Sequence, residues 1–511
     1  MIINLGKAWA SNTINTVIFR QSGLVTSGQF QYCSYYLDEK NIRFVKRNLL
    51  NDNIETYDLQ GAYNLKDAHN SISMGVDDEG FIHISYQQHG SVLKYRRTNI
   101  PFDIRSWTNE ISMTGEYEKS VTYPCFLNLH RNKKLLFLYR DGKVENATMR
   151  LKSWSSSNQH WEDLENPVMQ GADQKPWSSN PYWNTPAVSL DDVIHLSFTW
   201  RTHSSDSADL INNINIDYAK SPDHGQKWFS SKEKLFLLPI TQVNSETIFP
   251  ISPSSNLINQ SGMAVDKDGK PHIVFYSDDL EGIPQYQHLW FDGKSWKHQI
   301  ITKRETPFVL KGKGTLQIPI SRPEIIIDKK NIVYIIYRGD FTGNHLIAHR
   351  FLPPDYDLDH SDQIPLTEEP VGYSEPIIDR NRWIRDGKLS MLLQKNDQPN
   401  QEGNFIKTYE PIKILDFDIL AYKSDSKQTD IRKNENQAIS LWLEEATTSV
   451  HKTINRMRNQ QLTIDDLKNK LSSKELLIED LSNEIQEIKR SKVYQFGIFL
   501  RRIKEKTNFK K

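Results

Sequence analysis

The chain has few cysteines, no net charge and no long apolar run, and each absence argues against a class of protein. Only two of its 511 residues are cysteines, Cys33 and Cys125, so no disulfide framework is predicted. The 64 basic and 64 acidic residues give a formal net charge of +0, so no bulk field attracts nucleic acid and no nucleic-acid partner is expected. No stretch of about 18 apolar residues occurs, which argues against a transmembrane helix.

Export signals and metal motifs are also missing. Residues 1–9 lack a basic segment followed by a long apolar run, so a cytoplasmic location is expected, with export by another route left open. No HExxH motif or Cys/His ligand pairing occurs, so neither a metal nor another cofactor is expected.

Glycoside hydrolysis needs two suitably placed carboxylates. The spacing of Asp67, Glu79 and Asp141 singles out no pair, so hydrolysis is the weaker enzymatic interpretation.

A short pattern recurs through the first 420 residues: an apolar residue, an Asp, a polar turn and an alternating strand rich in aromatics. Copies lie at 76–86, 190–198, 265–276 and 327–337, with weaker ones at 127–140 and 377–393. Each copy is typical of a β-hairpin. A recurrence of roughly 50 to 75 residues is typical of propeller blades of about four strands. With a further unit at 16–47, the pattern predicts an all-β, seven-bladed β-propeller over residues 1–422, with a β-sandwich as the alternative.

One turn supports the propeller independently. The segment Ser221-Pro222-Asp223-His224-Gly225-Gln226-Lys227-Trp228 matches the S-x-D-x-G-x-x-W pattern called the Asp box, which occurs in sialidase-type propellers. In such a turn the Asp caps backbone N–H groups, the Gly takes a strained dihedral and the Trp packs between sheets. The Asp box is a structural device, so it indicates the fold and not sialidase chemistry.

The last ninety residues have a different composition. Lys, Asp, Ser, Gln and Asn dominate from residue 423, which predicts a linker and helix start at 423–446. Heptad a positions are then Val450, Met457, Ile464, Leu471, Ile478 and Ile485, and d positions include Leu467, Leu481 and Ile488. This spacing predicts an α-helical coiled coil over 447–490 and hence a homo-oligomer, with dimer and trimer both open. A single amphipathic helix packed on the propeller is the alternative.

Residues 491–511 are first apolar and aromatic and then basic. We expect a C-terminal helix there. It would either contact a membrane face peripherally through its aromatics and cations or simply cap the coiled coil.

Histidine, tyrosine and arginine concentrate in neighbouring predicted blades. They occur in segments 67–74, 86–97, 122–126, 138–142, 180–184 and 200–203. Because loops of several blades converge on one face of a propeller, these side chains are candidates for a shared pocket. The alternative is structural, since a lone histidine at a strand end is often a hydrogen-bonded residue and Tyr–Arg pairs often line blade interfaces.

Some of these segments also resemble a known family. In their order and spacing they resemble the BNR-repeat propeller family that contains ulvan lyases. The segments that carry this resemblance are 8–13, 17–20, 66–70, 89–90, 95–97, 122–124, 138–142 and 180–184. The similarity covers nearly all of residues 1–420. It implies a seven-bladed propeller that cleaves a uronic-acid-containing polysaccharide by β-elimination.

The resemblance implies four catalytic residues: His69, His89, Tyr123 and Arg140. In β-elimination a cation must neutralise the uronate carboxylate, a task for Arg140 with His89. A base removes the C5 proton and an acid protonates the leaving oxygen, roles that His69 and Tyr123 share. Candidate substrate-binding residues are Asn70, Arg96, Arg97, Tyr182, Trp183 and Arg201, and stacking faces for sugars are sought at Tyr182, Trp183 and Trp200.

The sequence therefore predicts a lyase-like enzyme whose partner is an acidic polysaccharide. The alternative is a non-catalytic glycan-binding or scaffold propeller in bacterial surface-polysaccharide assembly. The missing export signal and the C-terminal tail favour that alternative, because a degradative lyase would act outside the cell.

Overall fold

The computed structural model describes most of the first 422 residues and part of the C-terminal segment. Described are residues 1–422 except 21, 143–146, 175–176, 204–210, 313 and 401–405, and then 468, 470–487, 489–490 and 492–507. The chain divides into two compact units, Met1–Tyr422 and Lys423–Lys511. Within the described residues, no helix is both long and apolar enough to cross a membrane.

The first unit consists of seven antiparallel sheets, which follow one another along the chain except that the strands His89–Ser91 and Ile2–Trp9 join the blades numbered 3 and 7. Blade 1 contains Leu24–Ser27, Phe30–Asp38, Asn41–Asn48 and Ile54–Gln60, and blade 2 contains Ser73–Val76, Ile82–Ser85 and Tyr95–Arg97. Blade 3 contains His89–Ser91, Val121–Asn128, Leu135–Asp141, Thr148–Ser155, His160–Asp163 and Met169–Gln170. Blade 4 contains Ala172–Gln174, Trp177–Trp183, Ala187–Val188, Ile194–His203, Asn213–Ser221 and Glu246–Phe249.

The remaining strands complete the ring. Blade 5 contains Met263–Val265, Pro271–Asp278, Pro284–Phe291 and Trp296–Ile300, and blade 6 contains Glu324–Ile327, Val333–Tyr337, Ile347–Phe351 and Asp362–Pro365. Blade 7 contains Ile2–Trp9, Ile377–Ile378, Leu389–Gln394 and Tyr409–Phe417. The predicted seven-bladed β-propeller is confirmed.

The two ends of the propeller chain close the ring in blade 7. The N-terminal strand pairs with the last strand, so that Ile2 lies opposite Leu415 and Trp9 opposite Tyr409. This pairing makes the N-terminal strand the outer strand of blade 7 and joins the first and last parts of the propeller chain in one sheet.

The recurring Asp has a structural role in the turn after the first strand of a blade. In Asp77, Asp266 and Asp328 the Oδ1 atom accepts hydrogen bonds from the backbone N–H groups two and four residues later, at 2.8 to 3.1 Å. Each carboxylate thereby satisfies donors that a tight turn leaves unpaired.

Blade 4 departs from the expected pattern. The residue at the position of the turn Asp is Ser189, whose Oγ accepts from Val193 N at 3.0 Å. Asp192 reaches the neighbouring blade instead, where its carboxylate accepts from the backbone N–H groups of residues 130–132. The sequence match at 190–198 is therefore shifted relative to the actual turn.

The segment from Ser221 to Trp228 forms a tight turn at the end of a blade 4 strand. Asp223 Oδ1 accepts from Lys227 N at 2.8 Å, and Gly225 has a φ of +94°. The Trp228 side chain is fully buried, and its Nε1 donates to the Gly225 carbonyl at 3.0 Å. These contacts explain the need for Asp, Gly and Trp at this spacing.

Two further histidines lie inside the blades. His83 is fully buried, with Nδ1 2.7 Å from Tyr95 Oη and Nε2 3.2 Å from Asp77 Oδ2. His195 is likewise buried, with Nδ1 2.7 Å from Tyr218 Oη. Burial lowers the pKa of both imidazoles, that of His195 to about 3, so both are neutral core residues.

Helices are few. The 3₁₀ helices are Ile18–Arg20, Ala68–Asn70 and Asp340–Thr342, and the propeller's α-helix is Arg380–Asp386. In the second unit residues 470–487 are helical, and a helix at Lys492–Thr507 covers most of the expected C-terminal helix.

The expected coiled coil is described only in part. The 423–446 linker and the heptad residues Val450, Met457, Ile464, Leu467 and Ile488 lie outside the described residues. The described heptad residues are 49 to 66% exposed in the single chain; they are Leu471, Ile478, Leu481 and Ile485. Self-association through this segment stays a prediction.

Candidate functional site

His69 lies at the mouth of the central channel. The first strands of neighbouring blades contact one another and so line this channel. His69 belongs to the 3₁₀ helix Ala68–Asn70, just before the first strand of blade 2, whose other end leads into the Asp77 turn. The helix begins at Asp67, whose Oδ1 accepts from His69 N at 2.8 Å. His69 therefore lies on the face of the propeller opposite the recurring Asp turns, which we call the site face.

Asp67 joins the two candidate histidines. Its Oδ1 lies 2.8 Å from His69 Nδ1, and its Oδ2 lies 2.5 Å from His89 Nδ1. The two imidazole rings are stacked, with centroids 4.1 Å apart and planes inclined by 15°. Burial alone would raise the pKa of the Asp67 carboxyl, but its hydrogen bonds to the two histidines outweigh this and hold the pKa well below its usual range.

This arrangement determines which ring nitrogen carries the lone pair. An Nδ1–H that donates to a carboxylate leaves the lone pair of a neutral imidazole on Nε2. Sequence reasoning missed Asp67 as the orienting residue. Its signal was present, because an Asp two residues before a histidine is the spacing that lets one carboxylate cap a helix and hold the ring.

The other face of His69 is covered by residues that the sequence did not indicate. Phe19 stacks on the ring with centroids 4.8 Å apart, and Arg322 lies 5.5 Å from the Phe19 centroid. Thr315 Oγ1 is 3.3 Å from His69 Nδ1 although it lies 246 positions away in the chain. No local pattern predicts contacts of this kind, because they depend on how distant blades close around the channel.

Tyr123 reaches the cluster through a distortion of its strand. The pairing register shifts between Thr122 and Cys125, and Tyr123 has a φ of +55°, a left-handed conformation that costs about 1 to 3 kcal/mol. The neighbouring Thr122 accepts from Gly90 N at 2.8 Å, which fixes the strand that carries His89. The ring centroids of Tyr123 and His69 are 5.8 Å apart.

Arg140 is a buried cation without a full set of partners. It pairs with Thr122 across the sheet, is 3% exposed, and places Cζ 4.8 Å from the Tyr123 centroid and 5.4 Å from that of Tyr182. Its Nε and Nη1 are buried and have no hydrogen-bond partner among the described residues. Burying a cation whose donors are not all hydrogen-bonded is costly, so this guanidinium is set to receive an anion or another acceptor.

A second arginine lies against Tyr182. Arg201 Cζ is 4.2 Å from the Tyr182 centroid, and Arg201 Nη2 donates to Asn259 Oδ1 at 2.9 Å. Burial would raise the pKa of Tyr182, but Arg201 and Arg140 favour the anion and lower its pKa to about 8. For Tyr123 burial dominates, helped by the nearby Tyr182, and raises its pKa to about 12.

The structure thus brings together His69, His89, Tyr123, Arg140, Tyr182 and Arg201. Of the other four predicted substrate-binding residues, Trp183 packs edge-on against Tyr123, with ring centroids 6.4 Å apart, and the remaining three have other partners. Asn70 donates to the Asn64 carbonyl, Arg96 binds Tyr86 and Thr108, and Arg97 lies against Phe81 and Trp154. Trp183 is 1% exposed in the core, and Trp200 is fully buried as well. Neither tryptophan has an open ring face, and Tyr182 is 4% exposed with two arginines against its ring, so none of the three offers the stacking surface expected for a sugar.

Asp67, His69 and His89 also have the composition of a metal site. Their ligand atoms lie within 4.8 Å of one another. In the described part of the chain, no other three His, Cys, Asp or Glu side chains place their ligand atoms this close together. Two of the three separations are hydrogen-bond distances, so hydrogen bonds between the Asp67 carboxylate and the two histidines already satisfy these atoms without a metal. The expectation that no metal is used stays a prediction.

A cavity of about 480 Å³ lies towards the opposite face of the propeller. Its lining includes the turn residues Asp266 and Asp328 and the ion pair between Glu324 and Arg380, but no member of the cluster. The candidate site and this cavity are therefore separate features of the channel.

Fold and site together define a seven-bladed β-propeller with an Asp–His–His–Tyr–Arg cluster at one mouth of its channel, largely buried except for His89. The chain belongs to the BNR repeat-containing family, whose model matches residues 30–304. No curated protein matches the chain.

Two solved lyases have the same fold. The polysaccharide lyase Uly1 is 14% identical, with a TM-score of 0.58 over 82% of this chain and 99% of its own. A PL25 ulvan lyase is 13% identical, with a TM-score of 0.60 over 81% of this chain and 95% of its own. The same type of lyase bound to -[GlcA(1-4)Rha3S]- gives 14% identity and a TM-score of 0.60. At these identities the similarity establishes a shared fold.

Proposed function

We propose that the protein is a polysaccharide lyase that cleaves a uronic-acid-containing glycan by β-elimination. The observation that carries this proposal is Arg140, a buried guanidinium with unpaired donors beside an Asp-oriented histidine pair. A uronate carboxylate supplies the charge and the acceptor oxygens that this guanidinium lacks. The lyases of the same fold support this substrate class, since one of them is bound to -[GlcA(1-4)Rha3S]-.

The reaction needs a base, an acid and a neutralising cation. The base takes the proton from C5 of the uronate, the electron pair forms the C4–C5 double bond, and the C4–O bond breaks. The departing oxygen then takes a proton from the acid. Because the C5 proton becomes acidic only when the adjacent carboxylate is neutralised, the cation lowers the barrier of the first step.

The geometry supports distinct roles for the four residues. His69 is the base, because the Asp67 contact at Nδ1 leaves the lone pair on Nε2. Tyr123 is the acid, since a pKa raised to about 12 keeps its hydroxyl protonated at neutral pH. Arg140 neutralises the carboxylate with help from His89, whose side chain is 36% exposed and is the most open of the four.

The test is incubation with polygalacturonate, alginate, glucuronan and ulvan, followed by the ultraviolet absorbance of the unsaturated uronate product. We expect at least one polymer to be cleaved and Arg140→Ala, His69→Ala and Tyr123→Phe to abolish cleavage. Arg97→Ala is the matched control, because Arg97 lies away from the cluster against Phe81 and Trp154. Cleavage that survives the Arg140 and His69 substitutions would refute the assignment.

A non-catalytic glycan-binding or scaffold function is the second candidate. The observation that favours it is the burial of the cluster, since His69, Tyr123 and Tyr182 are only 9, 6 and 4% exposed. Retarded migration in gels that contain one of the four polymers, without any ultraviolet product, would support this function over the lyase.

The C-terminal unit is proposed to self-associate through its heptad residues. Four of these residues are helical and half-exposed in the single chain, as expected of surfaces that await a partner helix. Ile478→Lys with Ile485→Lys in the full chain should lower the molar mass measured by light scattering. An unchanged mass would count against the coiled coil.

Peripheral membrane contact through the last helix is a further proposal. Phe496 and Phe499 are 59 and 58% exposed, and Arg501 and Arg502 follow them on the same helix. The test is co-sedimentation with anionic phosphatidylglycerol vesicles, which we expect to be lost in the Phe496→Ser, Phe499→Ser double variant. Equal sedimentation of the variant and the wild type refutes membrane contact through this helix. The cytoplasmic location stays a prediction.

A further inference from the structure

An exposed tyrosine lies in the loop between blades 2 and 3, near the candidate site. Among the Phe, Tyr and Trp side chains that the structure describes in the propeller, Tyr117 is the most exposed, at 48%. Arg150 Cζ lies 3.3 Å from the centroid of the ring and so covers one of its faces. The exposed surface of the ring must therefore be its other face and its edge.

The loop that carries Tyr117 is held by buried charges. The Glu118 carboxylate accepts hydrogen bonds from the backbone N–H groups of residues 113–115, at 2.8 to 3.3 Å. Lys152 has a fully buried side chain that lies 3.4 Å from Glu118 and 2.6 Å from Asp163. Tyr117 itself has a φ of +57°, a conformation that persists only where the surroundings impose it. The fold thus fixes this ring in an exposed position.

The same contacts connect Tyr117 to the candidate site. The carbonyl of the residue after Tyr117 accepts from Leu93 N at 2.8 Å, and Leu93 follows His89 by four positions. On the other side of the loop, Arg150 Nε donates to Asp141 Oδ2 at 3.2 Å, and Asp141 directly follows the candidate carboxylate-binding arginine. The tyrosine is therefore on the site face, in the loop that leads into blade 3, and this blade supplies three of the four proposed catalytic residues.

We propose that Tyr117 and Arg150 form a subsite for a pyranose ring of the acidic polysaccharide, outside the sugar pair whose bond is cleaved. The apolar C–H face of a pyranose stacks on an exposed aromatic face. The guanidinium beneath the ring attracts the carboxylate or sulfate of an acidic sugar. A single exposed apolar side chain needs no explanation. Here, however, the backbone of Tyr117 is strained, a buried ion pair holds its loop and a cation lies against its ring. This inference rests on the proposed lyase function and extends it to substrate length.

The test compares chain lengths. The substrates are the polymer that the wild-type protein cleaves and the shortest oligosaccharide of it that is still cleaved. For Tyr117→Ala we expect KM for the polymer to rise about three- to tenfold, as expected from the loss of one stacking contact, with kcat unchanged. KM for the short substrate should not change, because that substrate does not reach the subsite. Tyr117→Phe should restore the polymer KM, since the ring face is retained.

The matched control is Phe102→Ala. Phe102 is also an exposed aromatic residue, at 38%, but its N–H donates to the carbonyl of Gly80 in the Asp77 turn, on the opposite face. An unchanged polymer KM in Tyr117→Ala overturns the subsite. Equal effects on both substrates, or an equal effect of Phe102→Ala, overturn it as well.

Gel retardation separates this proposal from the lyase proposal. If the wild-type protein binds polygalacturonate, alginate, glucuronan or ulvan without cleaving it, the lyase function fails. Weaker retardation of Tyr117→Ala then still supports the subsite, and equal retardation refutes it. If the wild-type protein neither binds nor cleaves any of the four polymers, both proposals are overturned.

Discussion

Replacing Asp67 by Asn tests the arrangement at the centre of the candidate site. The carboxylate holds two imidazole Nδ1 atoms, at 2.8 Å for His69 and 2.5 Å for His89. A hydrogen bond to a charged group contributes about 1.5 to 3 kcal/mol. The buried His69 hydrogen bond is counted at its full energy and the more exposed His89 hydrogen bond at a fraction of it. We therefore expect Asp67→Asn to lose about 2 to 4 kcal/mol of transition-state stabilisation, which lowers kcat/KM by about 30- to 1000-fold.

The pH profile distinguishes this role from a purely structural one. Removing the anion disfavours the imidazolium form, so the acid limb of kcat/KM should move to lower pH in Asp67→Asn. The matched control is Asp266→Asn, because Asp266 also lies beside a buried histidine but caps a turn in blade 5. Asp266→Asn should lower the melting temperature without moving the acid limb of the kcat/KM profile. A kcat/KM within threefold of wild type in folded Asp67→Asn, or an unmoved limb, refutes the reasoning.

Two further predictions follow from other contacts. Burial raises the pKa of Tyr182, but Arg201 and Arg140 lower it to about 8, so in the wild type a tyrosinate forms beside Arg140 as the pH rises through that value and competes with the substrate carboxylate. KM should therefore rise above about pH 8 and stay level in Tyr182→Phe; the same alkaline rise in both proteins would contradict this assignment. Gly75→Ala should destabilise the propeller by about 1 to 3 kcal/mol, because a Cβ there would lie 2.7 Å from Phe126 Cβ and 2.8 Å from Leu135 Cδ1. A thermal melt measures this loss, and an unchanged midpoint would show that the two side chains yield freely.

The fold was predictable because its signal is local and repeated. The hairpin pattern depends on one carboxylate that caps N–H groups two and four residues ahead, so every copy carries its own evidence, as at Asp77 and Asp266. The copy at 190–198 shows the limit of such matching. There the Ser189 hydroxyl accepts from the N–H four residues ahead in place of a carboxylate, and Asp192, three residues later, binds another blade.

The candidate site was predictable only where motifs mark it. His69, His89, Tyr123 and Arg140 came from a resemblance, and the structure places all four in one cluster. Phe19, Thr315 and Arg322 were missed, because their contacts join parts of the chain that only the closed ring brings together. The aromatic residues expected to stack on sugars were chosen by residue type, and residue type does not tell whether a tryptophan such as Trp183 is buried.

The histidines show how one side chain serves two purposes in the same propeller. His83 and His69 both lie near an aspartate in blade 2, but His83 is enclosed by aromatic rings and its second nitrogen is taken by Tyr95. Burial keeps that imidazole neutral, and both of its nitrogens are used for structure. At the channel mouth the aspartate instead holds the same nitrogen of two stacked rings, next to a cation with unused donors. Chemistry is therefore expected where the aspartate orients a histidine at the channel mouth, and stability where an aromatic hydroxyl completes its bonding inside a blade.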